Sequence, residues 1–408
     1  MPNTTVKKPL PIGEFVTLMA LLMSLVALTI DAMLPALAVM GQDLHLENPN
    51  NAQLTITVIF IGLAIGQMFY GPLSDSIGRK PAVSYGIGVF IIGCLLSMFA
   101  TSFEMMLLGR LLQGLGLGGP RVVSIALVRD QYEGHAMARI LSFIMMIFIL
   151  VPMIAPLLGQ GILMFASWRV IFGLILGLGL LGLVWFQIRQ EETLSEEHRR
   201  PMSMSFIFSA SREIAQNRVA LGYTLISGVV FAPFLAYISA VPQILQIQYG
   251  LGEAFPLAFG GLAFVIGLAS FVNGRFVSKK GMLWMVQRAL VVSTLASLLF
   301  TAFSYLYAGH PPLVTLFAFL IILLFCTGIL FGNLNAMAME PLGHIAGIGA
   351  AIVGSVSTLI SVPVAILIGQ AYQGTIMPIM IGFSGGGLLC LVLLRWVRKG
   401  EAGTGEGQ

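Results

Sequence analysis

Apolar runs long enough to cross a bilayer recur down the whole of this sequence, and that feature leaves few folds open to it. Twelve runs can be marked, at about 14–40, 52–72, 81–101, 105–127, 138–163, 167–188, 219–246, 254–276, 283–307, 313–338, 347–372 and 376–396. A helix that spans the ~30 Å hydrocarbon layer needs ~20 mostly apolar residues. Backbone groups in lipid must pair internally, which leaves helices or a closed barrel. Barrel strands are alternating segments of ~10 residues, unlike these runs. Only 9% of the residues are charged, against ~25% in a soluble domain, so a water-facing surface could not be covered. The expected fold is an all-α membrane protein with twelve transmembrane helices. The first run follows Lys7 and Lys8 but exceeds the apolar core of a signal peptide, so it is expected to be retained.

The bases sort the links. With the N-terminus inside and the chain crossing alternately, all but three of the 21 basic residues fall at the cytoplasmic side, the side that bases favour. The exceptions are Arg110, Arg121 and Arg169. One helix more or fewer would scramble this separation. The net charge of +4 is thereby topological, with no nucleic-acid partner implied. Most links are short, but about 188–218 is long and charged, and its "MSMSFIF" could lie along the membrane surface. The second-to-third link carries Gly71 and Gly78. The eighth-to-ninth carries Gly274 and Gly281, spaced alike and offset by half the chain. A duplicated chain is expected: an N-terminal six-helix bundle over 1–188, a cytoplasmic linker over 189–218, and a C-terminal six-helix bundle with a short tail over 219–408. The two bundles would be pseudo-symmetric, as parallel repeats are in many secondary transporters.

The informative residues are polar groups inside or between the runs. In "GPLSDSIGRKP" the glycines allow turn geometry, Pro81 suits a helix start, and Asp75 and Arg79 stand on either side of the link. Arg110 and Arg121 lie three turns apart on one helix face, ~16 Å along its axis. An arginine there costs ~2.5 kcal/mol or more and faces a cavity or a partner, so each is either a binding residue or a carbonyl clamp. Pro152 and Pro156 remove two N–H donors from one face and predict a bend. Asp31 is the one acid well inside a run. Counted from the outer ends it lies at the depth of Arg110, so the two are expected to pair, with Asp31 taking a proton or a cationic group and Arg110 setting its affinity for the proton. Asn333 and Asn335 either line a cavity or join helices. Cys94, Cys326 and Cys390 have no disulfide or metal spacing. No HExxH or GxxxxGK occurs, and the five histidines are scattered, so neither an enzyme, a cofactor, a metal site nor direct ATP drive is expected.

Gly71, Asp75, Gly78, Arg79 and Lys80 resemble, position by position, the signature loop of the major facilitator superfamily. The resemblance implies that Asp75 and Arg79, with Asp130 of "LVRDQY", form a charge network that latches the two halves on the cytoplasmic side. Arg110, Gln113 and Gly114 are similar to the family's fourth-helix motif. "VPMIAPLLGQG" resembles its fifth-helix exporter motif, with Pro152, Ala155, Pro156 and Gly159 at the motif positions and Ala155 where a glycine is usual. With "TIDAMLPA" and "NAMAMEPLGHIAGIGAAIVG", the chain looks like the bicyclomycin/chloramphenicol-resistance (Bcr/CflA) branch of bacterial drug:proton antiporters; Ala32, Met33 and Arg121 depart from that pattern. The resemblance implies a multi-pass monomer of the bacterial inner membrane with both termini cytoplasmic. It would export small drug-like molecules by alternating access, exchanged for protons. A proton-coupled importer on the same fold is the alternative. Proton-coupling or substrate-binding residues would be Asp31, Arg110, Gln113, Arg121, Asn333 and Asn335.

Overall fold

The computed structural model describes residues 10–199 and 202–404. Lys7, Lys8 and Arg200, counted above among the bases of one side, lie outside the described residues. The first half contains α1 Ile12–Asp31, α2 Leu54–Ile77, α3 Arg79–Met98, α4 Phe103–Gln131, α5 Gly134–Leu163 and α6 Arg169–Arg189. A linker helix, α7 Met204–Gln216, precedes α8 Arg218–Val241, α9 Phe255–Lys280, α10 Met282–Leu306, α11 Leu313–Met339, α12 Ala346–Gln370 and α13 Met377–Thr404. The stretch Leu313–Gln370 is apolar over 58 residues, which at ~1.5 Å per residue would far exceed one bilayer. It is broken at Glu340–Ile345, where Leu342 leaves helical geometry (φ −107°, ψ 21°), so it crosses twice. Twelve spanning helices result.

The helix pairings repeat. In the first half α1 packs on α5 and α6, α2 on α4, and α3 on α4 and α6. In the second, α8 packs on α12 and α13, α9 on α11, and α10 on α11 and α13, which is the same list moved by seven helices. The halves meet through α2 with α12 and α5 with α9, a reciprocal pair that a two-fold relation between the bundles requires. The links repeat too. Gly78 (φ 107°) joins α2 to α3 and Gly281 (φ 80°) joins α9 to α10, each as a one-residue turn in backbone space that side chains avoid. Gly71 is not part of that turn, contrary to the sequence expectation. The helix runs on to Ile77, because Pro72 is tolerated inside it and nothing before Gly78 breaks the ladder. Asp75 therefore sits on the last turn of α2 and Arg79 opens α3.

Two local features shape the interior. α1 stops at Asp31, and the chain continues through a tight 3-10 turn, Leu34–Ala36, into a short helix, Leu37–Asp43. Pro35 stands four residues after Asp31 and has no N–H to return to its carbonyl, so the helix ends there. Gly159 of α5 lies against this break, where a methyl group would collide with the Ala32 carbonyl. The linker helix α7 does not lie free along a surface. It buries Ile207, Ala210 and Ile214 and packs on α8 and α12, leaving Phe208 outward.

Candidate functional site

A central cavity of about 860 Å³ lies between the two halves. Asp31, Phe60 and Tyr237 line it deep inside; Arg121 lines it further along; Asp75, Arg129 and Asp130 line it at the end that carries the α2–α3 link. These last three are exposed at their residues' ends of α2 and α4. The cavity is open at the link end, and its opposite end is sealed by the bonds described below.

Asp31 is 6% exposed and carries no hydrogen bond or ion pair among the described residues. Its expected partner does not reach it. The Arg110 guanidinium, fully buried, donates from Nη2 to the Thr29 carbonyl at 3.0 Å, from Nε to the Thr55 carbonyl at 2.9 Å and from Nη1 to Gln113 Oε1 at 2.9 Å. Phe172 of α6 lies 5.5 Å from its carbon centre. All of its attachments are to carbonyls, an amide and a ring, so the pairing of Asp31 with Arg110 is corrected: Arg110 clamps α1 and α2 onto α4. Gln113 also donates to Cys94 Sγ at 3.4 Å, and it, like Arg110, stands outside the cavity lining. Backbone carbonyls, which sequence patterning does not display, outcompete the carboxylate for this guanidinium.

Arg121 does line the cavity, and it has no hydrogen-bond or salt-bridge partner among the described residues. The two asparagines divide. Asn333 is buried and joined to Asn273 of α9 at 2.7 Å, so it fastens α11 to α9; Asn335 faces the cavity. On α5, Pro152 lines the cavity, Ala155 is buried, and one turn past Pro156, Gly159 meets the α1 break. The neighbouring Met153 carbonyl lies under Gly260 of α9, at the junction of the halves.

The link end is held by charge. Arg79 reaches Asp75 and Ser74 with Nη1 and Asp130 Oδ2 with Nε at 2.9 Å. The linker joins in: Glu192 accepts from the Arg79 and Lys80 backbone N–H groups, each at 2.9 Å, and Thr193 donates to Asp130 at 2.7 Å. Expected from the sequence was a latch between the halves. In this conformation every polar bond of Arg79 stays within residues 74–192.

Sequence reading missed the opposite end entirely. There Asn50 donates to the Tyr372 carbonyl at 2.7 Å, Gln243 donates to Asn50 Oδ1 at 3.2 Å, and Gln53 donates to Gln243 Oε1 at 2.5 Å. The Tyr372 hydroxyl donates to Gln248 Oε1 at 2.9 Å. Gln243 and Gln248 are presented by Pro242–Gln248, where α8 widens into π-helical turns. Burial pushes the Tyr372 and Tyr249 phenols up to about 12, so both remain donors throughout the physiological range. The only sequence signal was a density of amides in "NPNNAQ" and "PQILQIQ".

Two repeated six-helix bundles around a mostly apolar central cavity that carries Asp31 and Arg121 on its wall define a secondary transporter of small solutes. The profile of the Major Facilitator Superfamily matches residues 19–365, and the chain belongs to that family, which is non-catalytic. It is 31% identical over 375 residues to an uncharacterized MFS-type transporter, YdgK, of Bacillus subtilis, covering 90% of each chain. A bicyclomycin resistance protein homolog of Haemophilus influenzae is 29% identical over 378 residues, covering 90% of this chain and 91% of that one. The multidrug resistance protein MdtL of Salmonella heidelberg is 29% identical, covering 87% and 88%. Among solved structures, a peptide transporter POT in complex with sulfate superposes with a TM-score of 0.74 at 15% identity, over 95% of this chain and 94% of that one. The human organic anion transporter MFSD10 superposes at 0.68 and 19%, over 94% and 100%. Both likenesses speak to the fold.

Proposed function

We propose that this protein is a proton-coupled exporter of small drug-like molecules, of the bicyclomycin/chloramphenicol-resistance kind, seated in a bacterial inner membrane with both termini cytoplasmic. The halves 1–188 and 219–408 rock about the cavity while 189–218 tethers them, and one chain, acting as a monomer, holds the whole path. Asp31 carries this reading. It is an acid with no partner among the described residues, at the broken end of a membrane helix, facing the deepest part of the cavity. Such an acid binds either a proton or a cationic group, and exclusion of one by the other is what exchange requires. The relatives named for bicyclomycin and multidrug resistance support the choice of export. Arg110, Gln113 and Asn333 keep supporting roles, holding α1, α2 and the α9–α11 pair in place. Asp75, Arg79 and Asp130 form the cytoplasmic latch, and the α5 motif couples Asp31 to the junction of the halves.

The test is norfloxacin efflux from a pump-deficient host, with and without a protonophore. Efflux should need the proton gradient, and Asp31→Asn should abolish it while leaving the protein in the membrane. Full activity in that variant would remove Asp31 from the mechanism. Gradient-driven uptake in place of efflux would make the protein an importer.

A further inference from the structure

Inside the mouth, the ionisable side chains on the cavity wall among the described residues are Asp31, Arg121 and the Tyr237 phenol, and none of the three has a hydrogen-bond or ion-pair partner among those residues. Asp31 and Arg121 are opposite in charge, yet they do not pair. Their separation follows from the helix registers. Arg110 is bonded to the Thr29 carbonyl, two residues before Asp31, which fixes the level of Asp31 on α4. Arg121 lies three turns further along α4, where Gly118 meets Gln67. That is ~16 Å along the axis. Helical side chains lean toward the N-terminus, here toward Asp31, which leaves the two groups roughly 10 Å apart along the axis. Between these levels the wall is aromatic. Phe231 lies 5.5 Å from Phe60 and 5.7 Å from Phe331, and Phe234 lies 5.2 Å from Phe331, ring centre to ring centre.

We propose that the cavity takes elongated zwitterions with an aromatic body, the ammonium end at Asp31 and the acid end on Arg121. The inference rests on the cavity being the transport path. It adds a substrate class that the charge balance selects. A purely cationic substrate leaves Arg121 unneutralised at membrane depth, which is costly. A purely anionic one is held best when Asp31 carries its proton, so proton and substrate would travel together and exchange would fail. A zwitterion neutralises Arg121 and still displaces the proton from Asp31. The rings between them offer faces for a flat body.

Norfloxacin, with its acid and its amine at opposite ends of a fused aromatic frame, is the probe; its ethyl ester keeps the amine and loses the acid. Equilibrium binding to the purified protein should favour norfloxacin over the ester by tenfold or more. Arg121→Ala should erase that preference by weakening norfloxacin and tightening the ester a few-fold, since it removes a cation from the wall. Arg121→Lys should keep part of the preference. Equal weakening of both compounds in Arg121→Ala, or no preference in the unaltered protein, overturns the proposal. Norfloxacin flux under a pH gradient is read separately. If that flux is absent while the binding preference and its loss in Arg121→Ala persist, the exporter reading fails and the zwitterion site stands.

Discussion

The two ends of the cavity are held by different chemistry. At the link end, Arg79, Asp75, Asp130 and Glu192 form an ionic knot that involves only the first half and the linker. At the sealed end, Asn50, Gln53, Gln243 and Tyr372 make neutral bonds from one half to the other. The difference has a physical use. Breaking a buried charge pair by removing one member costs ~3–5 kcal/mol, so a charged knot is best kept whole while the halves move around it. A neutral hydrogen bond contributes a net ~0.5–1.5 kcal/mol, so several can be released together and remade on each cycle.

The strongest way to break this contrast is Arg79→Ala. Asp75 is half exposed and Asp130 a fifth exposed, so water recovers part of the loss. Turnover should still fall at least tenfold, with little change in equilibrium drug binding. Equal losses in rate and affinity would show that the knot shapes the site and does not govern the motion.

The next test acts on the sealed end. Gln243→Ala removes bonds to Gln53, Asn50 and the Pro49 carbonyl. Leaving such partners unsatisfied costs ~1–3 kcal/mol, a 5- to 150-fold shift in a two-state equilibrium. A reporter cysteine at Ile30 on the cavity wall, against a background of three buried native thiols, should be labelled from the far side about tenfold faster. Unchanged labelling would mean that apolar packing alone holds the seal.

Tyr372→Phe sharpens the same comparison with a smaller effect. It deletes the bond to Gln248 Oε1, which lies within the second half and only positions the Tyr372 backbone that Asn50 reaches, and should speed labelling by no more than a few-fold. Both phenols at this end titrate near 12, far above physiological pH. The labelling rate, corrected for thiol reactivity, should therefore stay flat with pH across the physiological range.

The asymmetry between the ends also explains what could be read in the sequence. Twelve helices were legible because each apolar run is long, and the bases sort to one side. Asp75 and Arg79 stood out because they lie four residues apart across a helix boundary; Asp130 came from the family resemblance, and Glu192, 113 positions from Arg79, carried no signal. The sealed end was not, because Asn50 and Tyr372 are 322 positions apart and carry no charge to mark them. The Asp31–Arg110 pairing failed for a related reason. Arg110 does stand near the level of Asp31, since it bonds the Thr29 carbonyl, but a sequence does not show how each helix is turned about its axis. The competing acceptors, the Thr29 and Thr55 carbonyls, exist only once three helices meet. Of the two candidate arginines inside the fourth run, Arg121, which also departs from the branch pattern, is the one that lines the cavity.

Helix α5 touches both of the things that must move in step. Its Gly159 is seated on the carbonyl of Ala32, one residue past Asp31, and its Met153 carbonyl bears on Gly260 of the other half. No side-chain atom cushions either contact, so a tilt of α9 would press on α5 and through it on the stub of α1.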